Sequence, residues 1–238
     1  MRVLQIQNVS KSFGRLLAVN NVSISLDQGD NLAVIGESGC GKTTLAKMIM
    51  GLTKPDAGFI KAEANSLQMV FQDPYLSLDP LWNVREILKE ALWRMKGQVS
   101  SQHSQERMEQ MLVAVGLSPQ VLQRFPHEFS GGERQRIAIA RALLASPKIL
   151  VLDEAVSALD TMVQKQIIDL LRRLKQDFNL TYIFISHNLR LVRNFSDKIA
   201  VMNQGRIVEE GMTKTVLHSP SHPYTQQLLQ AAFCLDFK

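Results

Sequence analysis

The sequence predicts an α/β fold: a mostly parallel sheet with helices around it, an antiparallel β-region at the N-terminus and an inserted α-helical subdomain. Three observations carry this. Short apolar runs of strand length, Asn31–Ile35, Ile149–Leu152 and Tyr182–Ile185, alternate with helical patterns, as a parallel sheet requires. The first of them runs straight into glycines and then into a helical pattern after Lys42 (Leu45, Met48, Ile49), giving the order strand, loop, helix. Between about Pro74 and Ala145 the texture turns helical, with amphipathic stretches Val84 to Met95 and Gln105 to Val115 closed off by Gly116 and Pro119.

The remaining elements follow in order. Residues 3–9 (Val3, Leu4, Ile6, Val9) and the strictly alternating Val22-Ser-Ile-Ser-Leu26 read as half-exposed strands. Val163 to Gln176 is helical, Lys198 to Met202 and Arg206 to Glu209 are strand-like, and a helix is expected around Thr225 to Ala232. The chain of 238 residues, 45% apolar, is expected to form a single unit, 1–238, in which 1–73 and 146–238 make the core and 74–145 the helical subdomain.

Composition narrows the function. No apolar run approaches the roughly 20 residues of a membrane-spanning helix, and Gln5, Gln7 and Asn8 break up any secretory signal. Cys40 and Cys234 have neither metal-ligand spacing nor a disulfide framework, which fits a reducing compartment. The net charge of +5 comes from scattered and partly balanced basic residues, so nucleic acid is not expected as a partner.

Gly36-Glu37-Ser38-Gly39-Cys40-Gly41-Lys42-Thr43 satisfies the phosphate-loop pattern in its required context, after a strand and before a helix. Its glycines let successive amides face a phosphate, the helix N-terminus adds positive dipole, Lys42 reaches the β- and γ-phosphates, and the Thr43 hydroxyl suits Mg²⁺. The whole segment Gly36 to Thr44 is therefore the expected ATP contact, within a P-loop NTPase core. Cys40 is either a reactive, alkylation-sensitive thiol, activated by Lys42 and the helix end, or an inert small residue. Lys148-Ile-Leu-Val-Leu-Asp153-Glu154 delivers two carboxylates at the end of a buried strand, where ligands bind in such sheets. Asp153 suits Mg²⁺, and Glu154, pointing elsewhere, suits polarising an attacking water.

Phe129-Ser130-Gly131-Gly132-Glu133-Arg134-Gln135-Arg136 puts a serine and two glycines at the start of a helix reaching Leu144, a second anion-binding helix N-terminus. This segment resembles the signature sequence of ABC transporter ATPases, with Phe129 and Glu133 in place of the usual Leu and Gln. The resemblance implies that Ser130, Gly131, Gly132 and Glu133 meet the γ-phosphate of ATP held by a second ATPase subunit. It also implies a Q-loop glutamine at Gln72 touching Mg²⁺ and water, a D-loop ending in Asp160 at the dimer interface, and a switch histidine at His187. Phe13 aligns with the aromatic that stacks on adenine; a core aromatic is the other reading. His103, His218 and His222 read as bystanders. The stretch from Lys42 to Gln72 is shorter than is usual in the family, which predicts a trimmed hairpin around Phe59 to Gln68.

A narrower resemblance, to the peptide and nickel importer branch, rests on Phe71-Gln-Asp-Pro-Tyr-Leu-Ser-Leu-Asp-Pro80, Asp153-Glu-Ala-Val-Ser-Ala-Leu-Asp160 and the tail Ser219-Pro-Ser-His-Pro-Tyr-Thr-Gln-Gln-Leu-Leu229. It implies two membrane permease subunits, an extracytoplasmic binding protein acting indirectly, and a peripheral position on the cytoplasmic face of the membrane. The partner ATPase is a second copy or a different chain, and the cargo is peptide or nickel. Tyr75, Leu76, Leu81 and Trp82 are candidate permease contacts or ordinary packing. Cys234 alone cannot support the iron–sulfur cluster found in some tails. ABC ATPases of DNA repair or translation carry long coiled-coil insertions or two cassettes per chain, and this sequence has neither.

Overall fold

The structure is a computed structural model and describes residues 1–63, 66–93 and 101–233; Cys234 and the end of the stretch read to Met95 lie outside them. Strands β1 (Arg2–Phe13), β2 (Leu16–Asp27) and β3 (Asn31–Ile35) lead through a glycine-rich loop into α1 (Lys42–Ile49). Then come β4 (Ala57–Ala62), β5 (Leu67–Val70), and helices α2 (Pro74–Ser77), α3 (Val84–Trp93), α4 (Ser101–Ala114) and α5 (Gly131–Leu144). The chain closes with β6 (Ile149–Asp153), α6 (Thr161–Phe178), β7 (Thr181–Ile185), α7 (Leu189–Phe195), β8 (Lys198–Asn203), β9 (Arg206–Met212), α8 (Thr213–His218) and α9 (Pro223–Phe233).

Two sheets result. The larger has the order β5-β6-β7-β3-β8-β9, parallel except for the β8–β9 pair. Its strands β3, β6 and β7 are buried along their whole length, which is why they read as continuous apolar runs rather than alternating ones. Strand pleat divides their residues between two cores. Leu32, Val34, Ile149, Val151, Ile183 and Ile185 face β1, β2 and α1, whereas Ala33, Ile35, Leu150, Leu152, Tyr182 and Phe184 face the helices.

The smaller sheet, β2-β1-β4, is antiparallel, so the expected antiparallel N-terminal region is present. The trimmed hairpin expected around Phe59 to Gln68 is not. β4 pairs with β1 (Leu4 with Ala62, Ile6 with Ile60), whereas β5 joins β6 in the other sheet (Met69 with Val151). The reason is burial: Met69 and Val70 are apolar and enter the core, and the Ser66 carbonyl accepts from the Lys148 and Ile149 amides. The chain therefore crosses between sheets where a hairpin was expected.

Helix boundaries have local causes. Asp160 caps α6 by accepting from the Met162 and Val163 amides, and Asn179 ends it in the left-handed conformation. The buried stripe Ile167, Ile168, Leu171 and Leu174 seats it on the sheet. Ser130 caps α5 through a capping box with Glu133.

Candidate functional site

The C-terminal ends of the parallel strands β3, β5, β6 and β7 lie along one edge of the sheet. That edge gathers the loop 36–41, Gln72, Asp153, Glu154 and His187, the position where ligands sit in folds of this type. Two glycines are obligatory in the loop. Gly36 has φ 151°, and a Cβ there would lie 2.1 Å from the Met202 carbonyl oxygen; Gly41 has φ 109°, and its Cβ would lie 2.2 Å from that of Ala18. With Gly41 as N-cap, no side chain covers the first-turn amides of α1 at Lys42, Thr43 and Thr44. Glu37, Ser38 and Gly39 are exposed at the loop's crest.

Lys42 is buried, its ammonium donating to the Gly36 carbonyl at 2.9 Å and the Glu37 carbonyl at 2.7 Å, with Cys40 Sγ at 3.6 Å. Cys40 is 7% exposed, which favours the inert small residue over the reactive thiol.

Thr43 opens α1 beside the end of β6, with its hydroxyl next to the Asp153 carboxylate. Burial, and then the neighbouring Glu154 charge, push Asp153 above the usual carboxylate range, with Thr43, Lys42 and Lys47 pulling the other way. Its Oδ1 is buried without a hydrogen-bond partner. A hydroxyl and an orphaned buried carboxylate oxygen are a hard-oxygen pair that fits Mg²⁺. Among the described residues no cluster of three or more His, Cys, Asp or Glu could hold a metal. A small divalent ion here would complete its shell with phosphate and water oxygens, as Mg²⁺ commonly does. Thr43, Asp153 and Gln72 line one cleft of 810 Å³, together with Phe71, Lys47 and Arg141.

Glu154 faces a different way because its backbone turns. It adopts φ 48°, held there by its amide on the Ile185 carbonyl (3.0 Å) and by the Ser157 amide and hydroxyl on its own carbonyl (3.0 and 2.9 Å). Its Oε1 then lies 3.3 Å from His187 Nδ1. His187 is fixed between Ser186, whose hydroxyl oxygen accepts from the Asn188 amide, and Asn188, which caps α7.

Phe13 ends β1 and is 52% exposed, so it is not a core aromatic. The Lys11 ammonium lies 5.6 Å from its ring centre. Asp160 is exposed, and its carboxylate is engaged as the α6 cap. Tyr75 is half-exposed with the Arg134 guanidinium 5.2 Å from its ring centre, and Leu81 and Trp82 are exposed, while the Leu76 side chain lies outside the described residues.

The signature residues are not brought to the loop. Arg141, Ala142 and Ala145 at the far end of α5 line the Thr43 cleft, which places Ser130 and Gly131 about 15 Å further along the axis at 1.5 Å per residue. Glu133 Oε2 accepts from the Ser130 amide at 2.9 Å and the Ser130 hydroxyl at 2.7 Å, and these bonds hold its carboxyl below the usual range. Gly132 has a packing reason as well: a Cβ would lie 2.6 Å from Val163 Cγ1, so its absence lets α5 approach α6.

Sequence reasoning missed Tyr224, whose hydroxyl oxygen accepts from the Glu37 amide of the loop at 3.1 Å. It also set aside His222, whose Nδ1 accepts from the Tyr224 amide at 3.1 Å. The tail motif containing both was visible, but no local pattern tied it to a loop so far away in sequence.

A parallel sheet whose ligand edge carries a phosphate loop, an orphaned carboxylate and a carboxylate–histidine pair defines a nucleotide-hydrolysing ATPase. Residues 19–157, more than half of the chain, match the ABC transporter family, and the chain belongs to that family as an ATP-binding ATPase. It is 46% identical over 230 residues to a probable D,D-dipeptide transport ATP-binding protein of Escherichia coli, covering 96% of this chain and 74% of that one. It is 43% identical over 231 residues to an oligopeptide transport ATP-binding protein of the same organism, covering 91% and 69%. An ATP-binding cassette solved as a dimer in a post-hydrolysis state with ADP and Pi superposes with TM-score 0.77 at 25% identity, covering 89% of this chain and 99% of that one. Among the described residues no helix is long and apolar enough to cross a membrane.

Proposed function

We propose that the chain is the ATP-binding and ATP-hydrolysing subunit that powers an importer for peptides. The observation that carries the two-subunit mechanism is the placement of α5, whose capped N-terminus lies far from the chain's own phosphate loop. A second anion site remote from the first is useful when it meets ATP held by another subunit. Likeness to dipeptide and oligopeptide transport proteins supports the cargo.

In this reading Phe13 stacks on adenine, the loop Gly36 to Thr44 wraps the phosphates, and Lys42, anchored by the Gly36 and Glu37 carbonyls, turns its remaining N–H to the β- and γ-phosphates. Thr43, Asp153 and Gln72 would hold Mg²⁺, which when bound neutralises charge on those phosphates. Glu154 orients a water and accepts its proton, with His187 beside it contacting the γ-phosphate. Ser130, Gly131, Gly132 and Glu133 close on the partner's ATP, and Asp160 lies at the same interface. ATP favours closure and hydrolysis releases it, a two-state element biased by the γ-phosphate.

The partners in this reading are a second ABC ATPase subunit, identical or different, and two permease subunits, with an extracytoplasmic binding protein acting through them. The chain sits peripherally on the cytoplasmic face. Residues 74–145 form the arm that carries closure to the permeases, with Tyr75, Leu81 and Trp82 as contacts.

The test is uptake by cells lacking the gene. Labelled dipeptide and oligopeptide uptake should be lost and restored by wild type but not by Lys42→Ala. Loss of labelled nickel uptake alone would move the same engine to metal import, and loss of neither would overturn the cargo.

A further inference from the structure

We propose that Tyr224 is a positioning residue for the phosphate loop: by accepting from the Glu37 amide it fixes the Gly36–Glu37 peptide plane and so aims the Gly36 carbonyl at the Lys42 ammonium. This rests on the reading of that loop as the ATP phosphate site.

A trans peptide is rigid and planar, with its N–H and C=O pointing in opposite directions. Holding the Glu37 amide on one side therefore sets where the Gly36 oxygen points on the other, and that oxygen is 2.9 Å from Lys42 Nζ. The hold is needed because this peptide follows a glycine at φ 151°, where rotation meets little intrinsic resistance. The Glu37 side chain is exposed, and its carbonyl, which accepts from Lys42 and Cys40, belongs to the next peptide.

Tyr224 can serve as a fixed point because the turn that carries it is anchored. The Glu209 carboxylate on β9 accepts from the Ser221 amide (2.8 Å), the Ser221 hydroxyl (2.9 Å) and the His222 amide (3.1 Å). His222 Nδ1 in turn accepts from the Tyr224 amide. Behind this turn, Thr225 and Leu229 of α9 are buried. β9 pairs with β8 and β8 with β3, the strand that delivers the loop, so the hydrogen bonds close a ring. Burial raises the Tyr224 phenol, which leaves the hydroxyl neutral at working pH.

The consequence is preorganisation. Without the phenol oxygen the loop samples other orientations of the 36–37 peptide, and ATP has to restore the productive one on binding. The effect belongs to nucleotide affinity, since Tyr224 touches neither Glu154 nor His187 among the contacts described.

The experiment compares wild type, Tyr224→Phe, Glu209→Gln and Lys42→Ala, all in a Cys234→Ser background. Binding of a fluorescent ATP analogue is measured on the purified chain and ATP hydrolysis on the assembled transporter. For Tyr224→Phe, KM for ATP should rise about three- to tenfold, the loss of one neutral hydrogen bond, with kcat within about twofold. Its melting temperature should stay near wild type, and maleimide should modify Cys40 faster without nucleotide. Glu209→Gln, which loosens the turn but keeps the phenol, should shift KM in the same direction by less. Unchanged KM and unchanged Cys40 labelling in Tyr224→Phe, with binding lost in Lys42→Ala, would overturn the proposal alone. A lower melting temperature with unchanged KM would make Tyr224 merely structural, which also overturns it. Wild-type binding by Lys42→Ala would instead overturn the phosphate-loop reading and this inference with it.

Discussion

His187 Nδ1 stands 3.3 Å from Glu154 Oε1, and the contact exists because two turns converge on it. Glu154 is swung out of line with β6 by its left-handed backbone, and His187 is held at the end of β7 by its capped neighbours. Asp153 and Glu154 are adjacent in sequence but serve different surroundings: one carboxylate is buried with Thr43, the other meets the histidine.

From this pair, Glu154→Gln should bind ATP with near wild-type affinity and hydrolyse it about a hundred- to ten-thousandfold more slowly, the usual contribution of a positioned base. Single-turnover hydrolysis and equilibrium binding on one preparation separate the two effects. Near-normal turnover would remove Glu154 from the role assigned to it.

Asp153 predicts an inverse relation between stability and function. Its folded pKa lies above its unfolded value, so the stability it contributes is full below about pH 4 and is lost as pH rises through the folded value. At neutral pH the ionised carboxylate is a cost. Asp153→Asn should therefore raise the melting temperature at pH 7.5 in EDTA, and the gain should vanish near pH 4. Mg²⁺ with ATP should stabilise wild type more than the variant.

Gly132 separates packing from phosphate chemistry. Gly132→Ala should cost about 1–3 kcal/mol by driving a methyl into Val163, the usual penalty for overpacking. Val163→Ala in the same chain should recover most of that loss in a double-mutant cycle measured by denaturant unfolding. No recovery would show that α5 and α6 do not approach as described.

Ser130→Ala should cost about 1 kcal/mol of stability through the lost cap, a small effect. If the proposed two-subunit reading holds, ATP hydrolysis should fall far more steeply, because Ser130 would then open the face that meets the partner's nucleotide. Equal, modest effects on both would reduce Ser130 to a helix cap.

What the sequence showed depended on whether the information was local. The phosphate loop, the Asp153-Glu154 step and the strands around them are written in contiguous residues, and the structure has them where the pattern put them. β4 was misjudged because its partner β1 lies far back in the chain and its own residues are mostly exposed, leaving little alternation to read. Cys40 looked reactive from its neighbours in sequence, whereas the fold buries it. The short helices α7 and α8 have too few turns to display a periodic face. Tyr224 escaped for the same reason as β4: its meaning lies in a residue 187 positions away in the chain.

Helix α5 spans about 21 Å at 1.5 Å per residue, with Ser130 capping one end and Arg141 lining the Thr43 cleft near the other. A rod of that kind cannot tilt at one end alone. If its two ends answer to two nucleotides, one held by each subunit, spending the first is felt at the second as a change of angle. The pair of subunits would then keep time with each other through this helix, and the membrane partners would follow that rhythm without having to set it.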